Sequence, residues 1–398
     1  MKPWKLLLLL TTILILIGVI FQTSFKGQPT VETQISPLGG SNPDPAFMRA
    51  DRPREFIFPE DHGAHPDYQT EWWYYTGNLI SVNGEQFGYQ LTFFRRALVA
   101  PVNFQPRTSD WATQQIYMAH FALTDTDKRQ HQSFERFSRG AAGLAGARAE
   151  PFKVWLENWQ VAEVSTLAET CPDGFTQPCA YQLQAEQGDI KLQFTLTDTK
   201  GPVLQGNAGY SLKGTAPGQA SYYYSLTNLN TKGTIQIGDR NYVVSGSSWM
   251  DHEFSTSALS IEQVGWDWFS FQLDNGIDLM LFQIRRADGS IDPFSSGTWI
   301  DQDGRSTSLT HEDFSITVGD RWISPYSKAI YPSKWSIDIP KYGLSIEVTP
   351  LLTDQELNLS YTYWEGAVEL RGNKYNEPIS GIGYIEMTGY AKSMGGEF

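Results

Sequence analysis

Apolar and polar residues alternate along most of the chain, as expected of strands that turn one face toward a core. The alternation is clearest from Phe87 to Phe93, shortly after Asn83-Gly84, a dipeptide that favours a tight hairpin turn. Asn275-Gly276 lies between two similar stretches in the second half of the chain. No long segment shows the 3.6-residue period of an amphipathic helix. The pattern therefore predicts an all-β protein built from antiparallel hairpins.

The predicted strands recur in the same order in the two halves of the chain, which indicates an internal duplication. Trp72 and Trp266 each precede a hairpin that is followed by two consecutive arginines. The halves also close on similar segments, Ser245–Asp251 and Ser380–Glu386. A unit of about eight or more strands hides its edges best by closing into a barrel, which can hold one apolar ligand. The sequence therefore predicts two tandem antiparallel β-barrels, residues 55–254 and residues 255–398.

The composition supports this fold and argues against one class of partner. Aromatic residues make up 14% of the 398 residues, which suits strands that line a large apolar interior. The formal net charge is −14, and no basic stripe with interleaved aromatic residues occurs. Because such a surface repels phosphate backbones, we expect no nucleic-acid partner.

The first 25 residues differ from the rest of the chain. Lys2 and Lys5 precede an uncharged run from Leu6 to Phe21, the charge order of an export signal. The run is long for a cleaved signal peptide and a little short for a spanning helix, so a signal peptide and an uncleaved membrane anchor both fit. Residues 26–54, rich in Pro, Gly and Ser, predict a flexible tether. We expect the folded part outside the cytoplasm, periplasmic or secreted, and held at the membrane if residues 6–21 are retained.

Cys171 and Cys179, the two cysteines of the sequence, flank a turn-rich segment. In an oxidising compartment this spacing predicts a loop-closing disulfide. His62 and His65 form a His-x-x-His pair, but the intervening Gly63 disfavours regular metal geometry, so we expect no metal. No nucleotide, phosphate or serine-hydrolase motif occurs, and we expect no cofactor.

Several tryptophan-rich motifs are similar to those of a known family. They are His65–Leu79, Trp249–Glu253, Gly265–Trp268, Tyr363–Gly366 and Gly383–Tyr390. Over roughly residues 55–398 the chain resembles the carotenoid 1,2-hydratase (CrtC)/AttH-like family. The resemblance implies a pair of lipocalin-like β-barrels. It also implies a hydrophobic substrate and hydration chemistry, although the family includes secreted proteins described as hydrolases and fungal relatives that guide pericyclic reactions.

The candidate site centres on the segment from Trp249 to Glu253. In a strand, Trp249, Asp251 and Glu253 share one face and His252 lies on the other. A carboxyl beside tryptophan in an apolar cavity loses hydration, which raises its pKa and keeps it protonated. Such an acid can protonate an isoprenoid double bond, and aromatic faces stabilise the resulting cation. Asp251 is therefore the predicted acid. The residues predicted to line its pocket are Trp72, Trp73, Trp249, Trp266, Trp268 and Tyr384.

Structural roles compete with these chemical ones. The rest of the predicted catalytic set is Glu71, His252 and Glu253, with Glu71 as a second acid–base or ligand-orienting group. Alternatively, the carboxylates pair with arginines between the domains or at a barrel end. Arg95 and Arg285 are predicted either to pair with such carboxylates or to bind the anionic end of a ligand.

The leading hypothesis is an exported hydro-lyase that hydrates a hydrophobic, isoprenoid- or carotenoid-like molecule by acid catalysis. One alternative is a non-catalytic carrier of lipid or pigment in the cell envelope. A second alternative is a secreted hydrolase in which a carboxylate activates water. All three share a hydrophobic small molecule as the partner.

Overall fold

The predicted all-β fold is confirmed by a computed structural model of the chain, which describes residues 45–105, 108–164, 179–256 and 259–396. Strands dominate these residues, because alternating apolar positions bury one face of each strand. The helical segments among the described residues are single 3₁₀ turns, Glu60–His62, Pro101–Asn103 and Pro340–Tyr342.

The first sheet contains thirteen strands from the first half of the chain. They are β1 (Thr70–Ser81), β2 (Gln86–Ala97), β3 (Gln115–Asp125), β4 (Gln130–Arg139), β5 (Ala145–Arg148), β6 (Lys153–Leu156), β7 (Trp159–Glu163), β8 (Ala180–Gln187), β9 (Ile190–Asp198), β10 (Pro202–Leu204), β11 (Tyr210–Leu212), β12 (Ala220–Ile237) and β13 (Arg240–Ser255).

This sheet curls into a nearly closed antiparallel barrel. Its order is β4-β3-β2-β1-β13-β12-β9-β8-β7-β6-β5, with β10 and β11 paired to β12. Arg136 on the edge strand β4 reaches across the gap. Its guanidinium donates to Gln187 at 2.7 Å and lies 4.3 Å from the ring centre of Trp159. Side-chain contacts therefore link the edge strand β4 to β7 and β8, with which it has no backbone pairing.

The second sheet contains ten strands, and a separate pair of short strands lies beside it. The strands are β14 (Gln263–Leu273), β15 (Asp278–Arg286), β16 (Ser296–Ile300), β17 (Ser306–Thr310), β18 (Ser315–Val318), β19 (Arg321–Ile323), β20 (Ile330–Pro332), β21 (Trp335–Ile339), β22 (Leu344–Pro350), β23 (Glu356–Asn358), β24 (Thr362–Lys374) and β25 (Glu377–Met387), of which β19 and β20 form the separate pair.

The order of the second sheet repeats that of the first. It runs β17-β16-β15-β14-β25-β24-β22-β21-β18, so β14 and β25 take the places of β1 and β13. The predicted hairpin turns also correspond. Gly84 and Gly276 have φ of +95° and +80°, and each amide bonds to the carbonyl three residues earlier at 3.0 Å. Glycine tolerates this left-handed conformation without a steric penalty.

Three buried clusters of apolar side chains organise the molecule. One fills the interior of the first barrel with residues such as Trp73 and Phe121, and a second lies on the inner face of the second sheet with Trp335 and Trp364. The third lies between the two sheets and contains aromatic residues from both, including Trp268. Because strand residues alternate between faces, β1, β13 and β25 each contribute residues to two clusters. One face of each strand packs in an inner core, and the other face packs in the shared cluster between the sheets.

The N-terminal predictions are tested only in part. Residues 45–54 were expected to belong to a flexible tether, but Phe47 and Ala50 are 4% and 0% exposed. They pack on separate small apolar clusters, one with Ala97 and the other with Tyr222, and burial of that surface outweighs chain freedom. Cys179 is buried, while Cys171 and residues 6–21 lie outside the described residues. Within the described part of the chain, no helix is long and apolar enough to cross a membrane.

Candidate active site

A pocket lies between the two sheets, where the outer faces of β1 and β13 meet those of β14, β24 and β25. Its volume is about 110 Å³, which gives room for roughly four water-sized groups at about 30 Å³ each. The cavity therefore lies between the two sheets, whereas the sequence left open whether a barrel or the seam between the domains holds the ligand. Core side chains fill the interior of the first barrel instead. The aromatic wall of the pocket is formed by Trp72, Tyr74, Tyr223, Trp266, Trp268 and Phe282.

Strand β13 presents different groups to its two sides, as the predicted alternation requires. Asp251 and Glu253 line the pocket, and Trp249 lies beside them in the cluster between the sheets. Met250 belongs to the core of the first barrel, and His252 is buried on that same side. The one strand therefore separates the candidate acid from the neighbouring histidine.

Asp251 is a buried carboxyl held by three hydrogen-bond donors. The Tyr223 hydroxyl donates to one oxygen at 2.7 Å. The Trp249 indole N–H donates to the other at 2.7 Å, and the Ser225 hydroxyl donates to that same oxygen. Burial raises the pKa of Asp251 to about 7, against the opposing influence of these hydrogen bonds. No cation pairs with Asp251 among the described residues, so a substantial fraction is protonated at neutral pH.

Two more carboxyls, Glu365 and Glu386, line the pocket from the second sheet. They are direct cross-strand partners on β24 and β25, so their side chains share a face. Tyr74 donates its hydroxyl to Glu365 at 2.7 Å, and Trp266 donates its indole N–H to Glu386 at 3.1 Å. Burial, and then the neighbouring Glu386, raises the pKa of Glu365 well above its usual value. Burial, with smaller effects from nearby acids, raises the pKa of Glu386 to about 7.

Charged and basic groups occupy the rest of the pocket wall. Glu253 forms an ion pair with Lys213 at 3.3 Å. His120 lies 2.6 Å from the Tyr363 hydroxyl through Nδ1 and 2.9 Å from the Glu135 carboxylate through Nε2. Burial lowers the pKa of His120, although Glu135 opposes the shift. The pocket thus combines protonated acids, a neutral histidine and aromatic faces.

The opposite face of β1 and β13 carries a separate ionic network centred on Glu71. Arg95 donates to one Glu71 oxygen through Nε at 2.6 Å. The other oxygen lies 2.7 Å from His65 and 2.8 Å from His252. Burial alone would raise the pKa of Glu71, but Arg95 and the two histidines outweigh it and hold the pKa well below its usual value. His65 also contacts Asp61 at 2.8 Å, which completes a chain of alternating charges.

The ligand atoms of His65, Glu71 and His252 lie within 4.8 Å of one another, which is close enough to hold a metal ion. Each of these atoms already takes part in a hydrogen bond within the group. The buried guanidinium of Arg95 contacts the same carboxylate, and its positive charge opposes a second cation. The network therefore fits an ion-paired role better than a metal centre.

The structure brings some predicted site residues together and separates others. Asp251, Glu253, Trp72, Trp266 and Trp268 line the pocket. The predicted pocket residues Trp249 and Tyr384 are buried in the adjoining cluster between the sheets.

Five further predicted residues lie neither in the lining of the pocket nor in that adjoining cluster. Trp73 is in the first-barrel core, where its indole donates to the His62 carbonyl at 3.0 Å. Glu71, His252 and Arg95 form the ionic network described above, and Arg285 pairs with Asp267 at 3.1 Å. The physical reason is alternation. Adjacent residues of a strand point to opposite faces, so Trp72 and Trp73 cannot both face one cavity. Arg95 and Arg285 each form an ion pair with a neighbouring carboxylate.

Sequence reasoning missed several residues of the pocket. Tyr223 lies in a run of three tyrosines, and alternation alone does not show which of them faces outward. Glu365 belongs to one of the family-like motifs, but its importance depends on the opposing sheet. Tyr74 follows Trp72 by two residues, so the same-face rule was a signal that could have found it.

A family model described as AttH-like matches residues 49–390. An AttH homologue from Nitrosomonas europaea has a similar structure, with a TM-score of 0.73 and 34% sequence identity, covering 86% of this chain and 100% of that one. Kievitone hydratase from Nectria haematococca has a TM-score of 0.62 at 14% identity, covering 89% of this chain and 98% of that one, which shows likeness of fold. Among curated proteins, none matches this chain significantly.

Proposed function

Because the chain belongs to the AttH-like family, we propose that it hydrates a carbon–carbon double bond of a hydrophobic, isoprenoid-like molecule bound between its two barrels. Asp251 is the acid. Acyclic carotenoids, whose ends carry trisubstituted double bonds, are the substrates to test first. The cavity of about 110 Å³ suits one end of such a molecule.

The observation that carries the proposal is the state of Asp251. It is a carboxyl with a pKa of about 7, set in an aromatic wall and without a paired cation among the described residues. An acid with a pKa near the working pH is both protonated and able to release its proton. The protonated fraction of Asp251 suits hydration, whereas hydrolysis by an activated water would need a carboxylate base such as the ion-paired Glu253.

In the first step, Asp251 gives its proton to the double bond, and the adjacent carbon becomes a tertiary cation. Trp268 and Trp266 line the same pocket, and aromatic faces stabilise a cation by about 0.5–2 kcal/mol each. The donors Tyr223 and Trp249 then hold the new carboxylate. Trp268 supports this by donating its indole N–H to the Tyr223 oxygen at 3.0 Å.

In the second step, water adds to the cation and forms a protonated alcohol, which loses its extra proton. Asp251, now a carboxylate, can accept that proton and return to its starting state. The sum of the two steps is the addition of one water molecule, so no cofactor is consumed.

The test is to incubate the purified protein with an acyclic carotenoid in ¹⁸O-labelled water and to analyse products by mass spectrometry. We expect a hydroxylated product that carries the label. Asp251→Asn should reduce the initial rate by about 100-fold or more, the usual contribution of a general acid. Asp303→Asn, at a 73% exposed side chain, is the matched control and should retain the wild-type rate.

Absence of labelled product, or an Asp251→Asn variant with the wild-type rate, contradicts the proposal. A small molecule that co-purifies in stoichiometric amount and stays unaltered on incubation would instead support a carrier.

The proposed location is outside the cytoplasm. It is supported by the uncharged run from Leu6 to Phe21 after two lysines, and by the predicted disulfide between Cys171 and Cys179. Fractionation of cells that produce the full chain tests it. Recovery of the protein in the cytoplasmic fraction with both thiols free would contradict it.

A further inference from the structure

Glu365 has an unused hydrogen-bonding atom in the wall of the pocket. Its side chain is fully buried, and its Oε2 accepts the Tyr74 hydroxyl at 2.7 Å. Its Oε1 has no hydrogen-bond partner among the described residues. A buried polar atom without a partner is destabilising, and native structures contain few of them. Because the Glu365 side chain lines the pocket, a molecule bound there is placed to complete this hydrogen bonding.

A second such atom lies close by on the same face of the second sheet. The Tyr384 hydroxyl is buried and also has no partner among the described residues. Tyr384 is on β25 two residues before Glu386, the cross-strand partner of Glu365. Two incompletely bonded polar groups therefore lie together on the second sheet, opposite the first-sheet wall that carries Asp251.

We propose that the pocket selects an oxygenated isoprenoid, in which a hydroxyl or carbonyl oxygen hydrogen-bonds to Glu365 while the double bond lies near Asp251. The inference rests on the proposed function, because it places the substrate in the same pocket. It narrows the substrate class from any isoprenoid to one that carries oxygen at the bound end.

The chemistry of Glu365 suits either kind of oxygen. Burial raises its pKa well above the usual value, so the carboxyl is protonated and can donate one hydrogen bond and accept another. A pure hydrocarbon would leave Oε1 unpaired and would add no hydrogen bond. A site built to bond an oxygen discriminates against an analogue without it, since the site's own polar group is then left unpaired.

The test compares two probes with one carbon skeleton, geraniol and 2,6-dimethylocta-2,6-diene, by quenching of tryptophan fluorescence. Trp72, Trp266 and Trp268 line the pocket and report on its occupancy. The measured quantity is the hydrocarbon dissociation constant divided by the geraniol dissociation constant. We expect Glu365→Met, which keeps the volume but removes the polar group, to lower this ratio at least about tenfold.

Two variants serve as controls. Glu369→Met changes the same residue type four positions along β24, at a side chain that is 46% exposed, and should leave the ratio unchanged. Glu365→Gln retains a donor and an acceptor and should keep the ratio within about threefold of the wild type. If Glu365→Met leaves the ratio of the two dissociation constants at its wild-type value, the inference is overturned.

The wild-type protein alone also provides a test if Glu365→Met does not fold. A hydroxyl that enters an apolar site without a hydrogen bond is disfavoured as in transfer from water to alkane. The two probes differ in their free energies of transfer from water to alkane. If the wild type prefers the hydrocarbon over geraniol by as much as this transfer does, the inference is overturned.

Binding and turnover separate this inference from the proposed function. Retained discrimination with no hydrated product would mean that the oxygenated molecule is bound but not hydrated. Hydration of a hydrocarbon without discrimination would leave the function standing and overturn the role of Glu365.

Discussion

Asp251 and Glu71 lie on opposite sides of the same two paired strands, β13 and β1, and are 4% and 0% exposed. Asp251 faces the pocket and has a pKa raised to about 7 by burial. Glu71 faces the end of the first barrel and has a pKa held well below its usual value. The two carboxyls are almost equally buried, yet at neutral pH Glu71 is ionised and Asp251 keeps a substantial protonated fraction.

The difference comes from the partners on each face. Tyrosine, tryptophan and serine donors surround Asp251, and they offer hydrogen bonds but no positive charge. Arg95 contacts Glu71 at 2.6 Å, and two histidines contact its other oxygen. A cation at that distance outweighs desolvation, whereas neutral donors do not. We therefore assign Asp251 to the candidate chemistry and the Glu71–Arg95 ion pair to stabilisation of the fold.

The largest expected contrast is in stability at pH 7. Glu71→Gln should lower the free energy of unfolding by about 3–5 kcal/mol, because it leaves Arg95 buried without its carboxylate. Asp251→Asn should change it by no more than about 1 kcal/mol, because a neutral amide replaces a carboxyl that has no cation partner and is about half protonated at this pH. Urea unfolding of both variants measures the difference. Equal losses would show that the two faces do not differ as described.

The second contrast is in pH dependence. The folded-state pKa of Asp251 is raised, so between about pH 4 and 7 the unfolded chain releases a proton that the folded chain keeps. The wild type should therefore lose stability relative to Asp251→Asn as pH rises. The expected loss is about 2 kcal/mol from pH 5 to 7, from a slope of at most about 1.4 kcal/mol per unit.

The contribution of Glu71 has the opposite sign, because its folded-state pKa is depressed. It is present above the unfolded pKa and is lost only as pH falls below about 4. Urea unfolding of the wild type, Asp251→Asn and Glu71→Gln at pH 3, 5, 6 and 7 checks both statements. A constant difference between the wild type and Asp251→Asn across that range would contradict the pKa assigned to Asp251.

The fold could be predicted from the sequence because its signals are local. The hairpin glycines Gly84 and Gly276, the alternating apolar residues and the repeated order of strands each depend on near neighbours in the chain. For the site, alternation predicts only which residues of one strand share a face. The shared face of Asp251 and Glu253 followed from a spacing of two.

The remaining features of the site depend on contacts between distant segments. Trp72 and Trp73 are equivalent in the sequence, and only the packing of the second sheet determines that Trp72 faces the pocket. The contact of Tyr74 with Glu365 joins residues 291 positions apart. No periodicity within one strand contains that information, so the facing acids of the second sheet could not be assigned.

The third contrast concerns those adjacent tryptophans. Trp73→Phe should lower the free energy of unfolding by about 1–2 kcal/mol, because it leaves the His62 carbonyl without its donor and a gap beside His252. Trp72→Phe should cost less than about 1 kcal/mol but weaken binding of geraniol. Thermal unfolding and fluorescence titration separate the two effects. If Trp73→Phe weakened binding more than Trp72→Phe, the assignment of faces would be wrong.

The smallest contrast lies in two neighbouring tyrosine hydroxyls of β1. Tyr74 donates to Glu365 across the pocket at 2.7 Å, whereas the buried Tyr75 hydroxyl has no partner among the described residues. Tyr74→Phe should lower the free energy of unfolding by about 1 kcal/mol, the net worth of one buried hydrogen bond. Tyr75→Phe should leave the free energy of unfolding unchanged or raise it slightly, because the substitution removes a buried hydroxyl that makes no hydrogen bond to the described residues. Urea unfolding of each variant and of the double variant measures this, with additive effects expected for hydroxyls on opposite faces. A loss for Tyr75→Phe as large as that for Tyr74→Phe would indicate a bonded water in the first-barrel core, and that face would then be less dry than the packing implies.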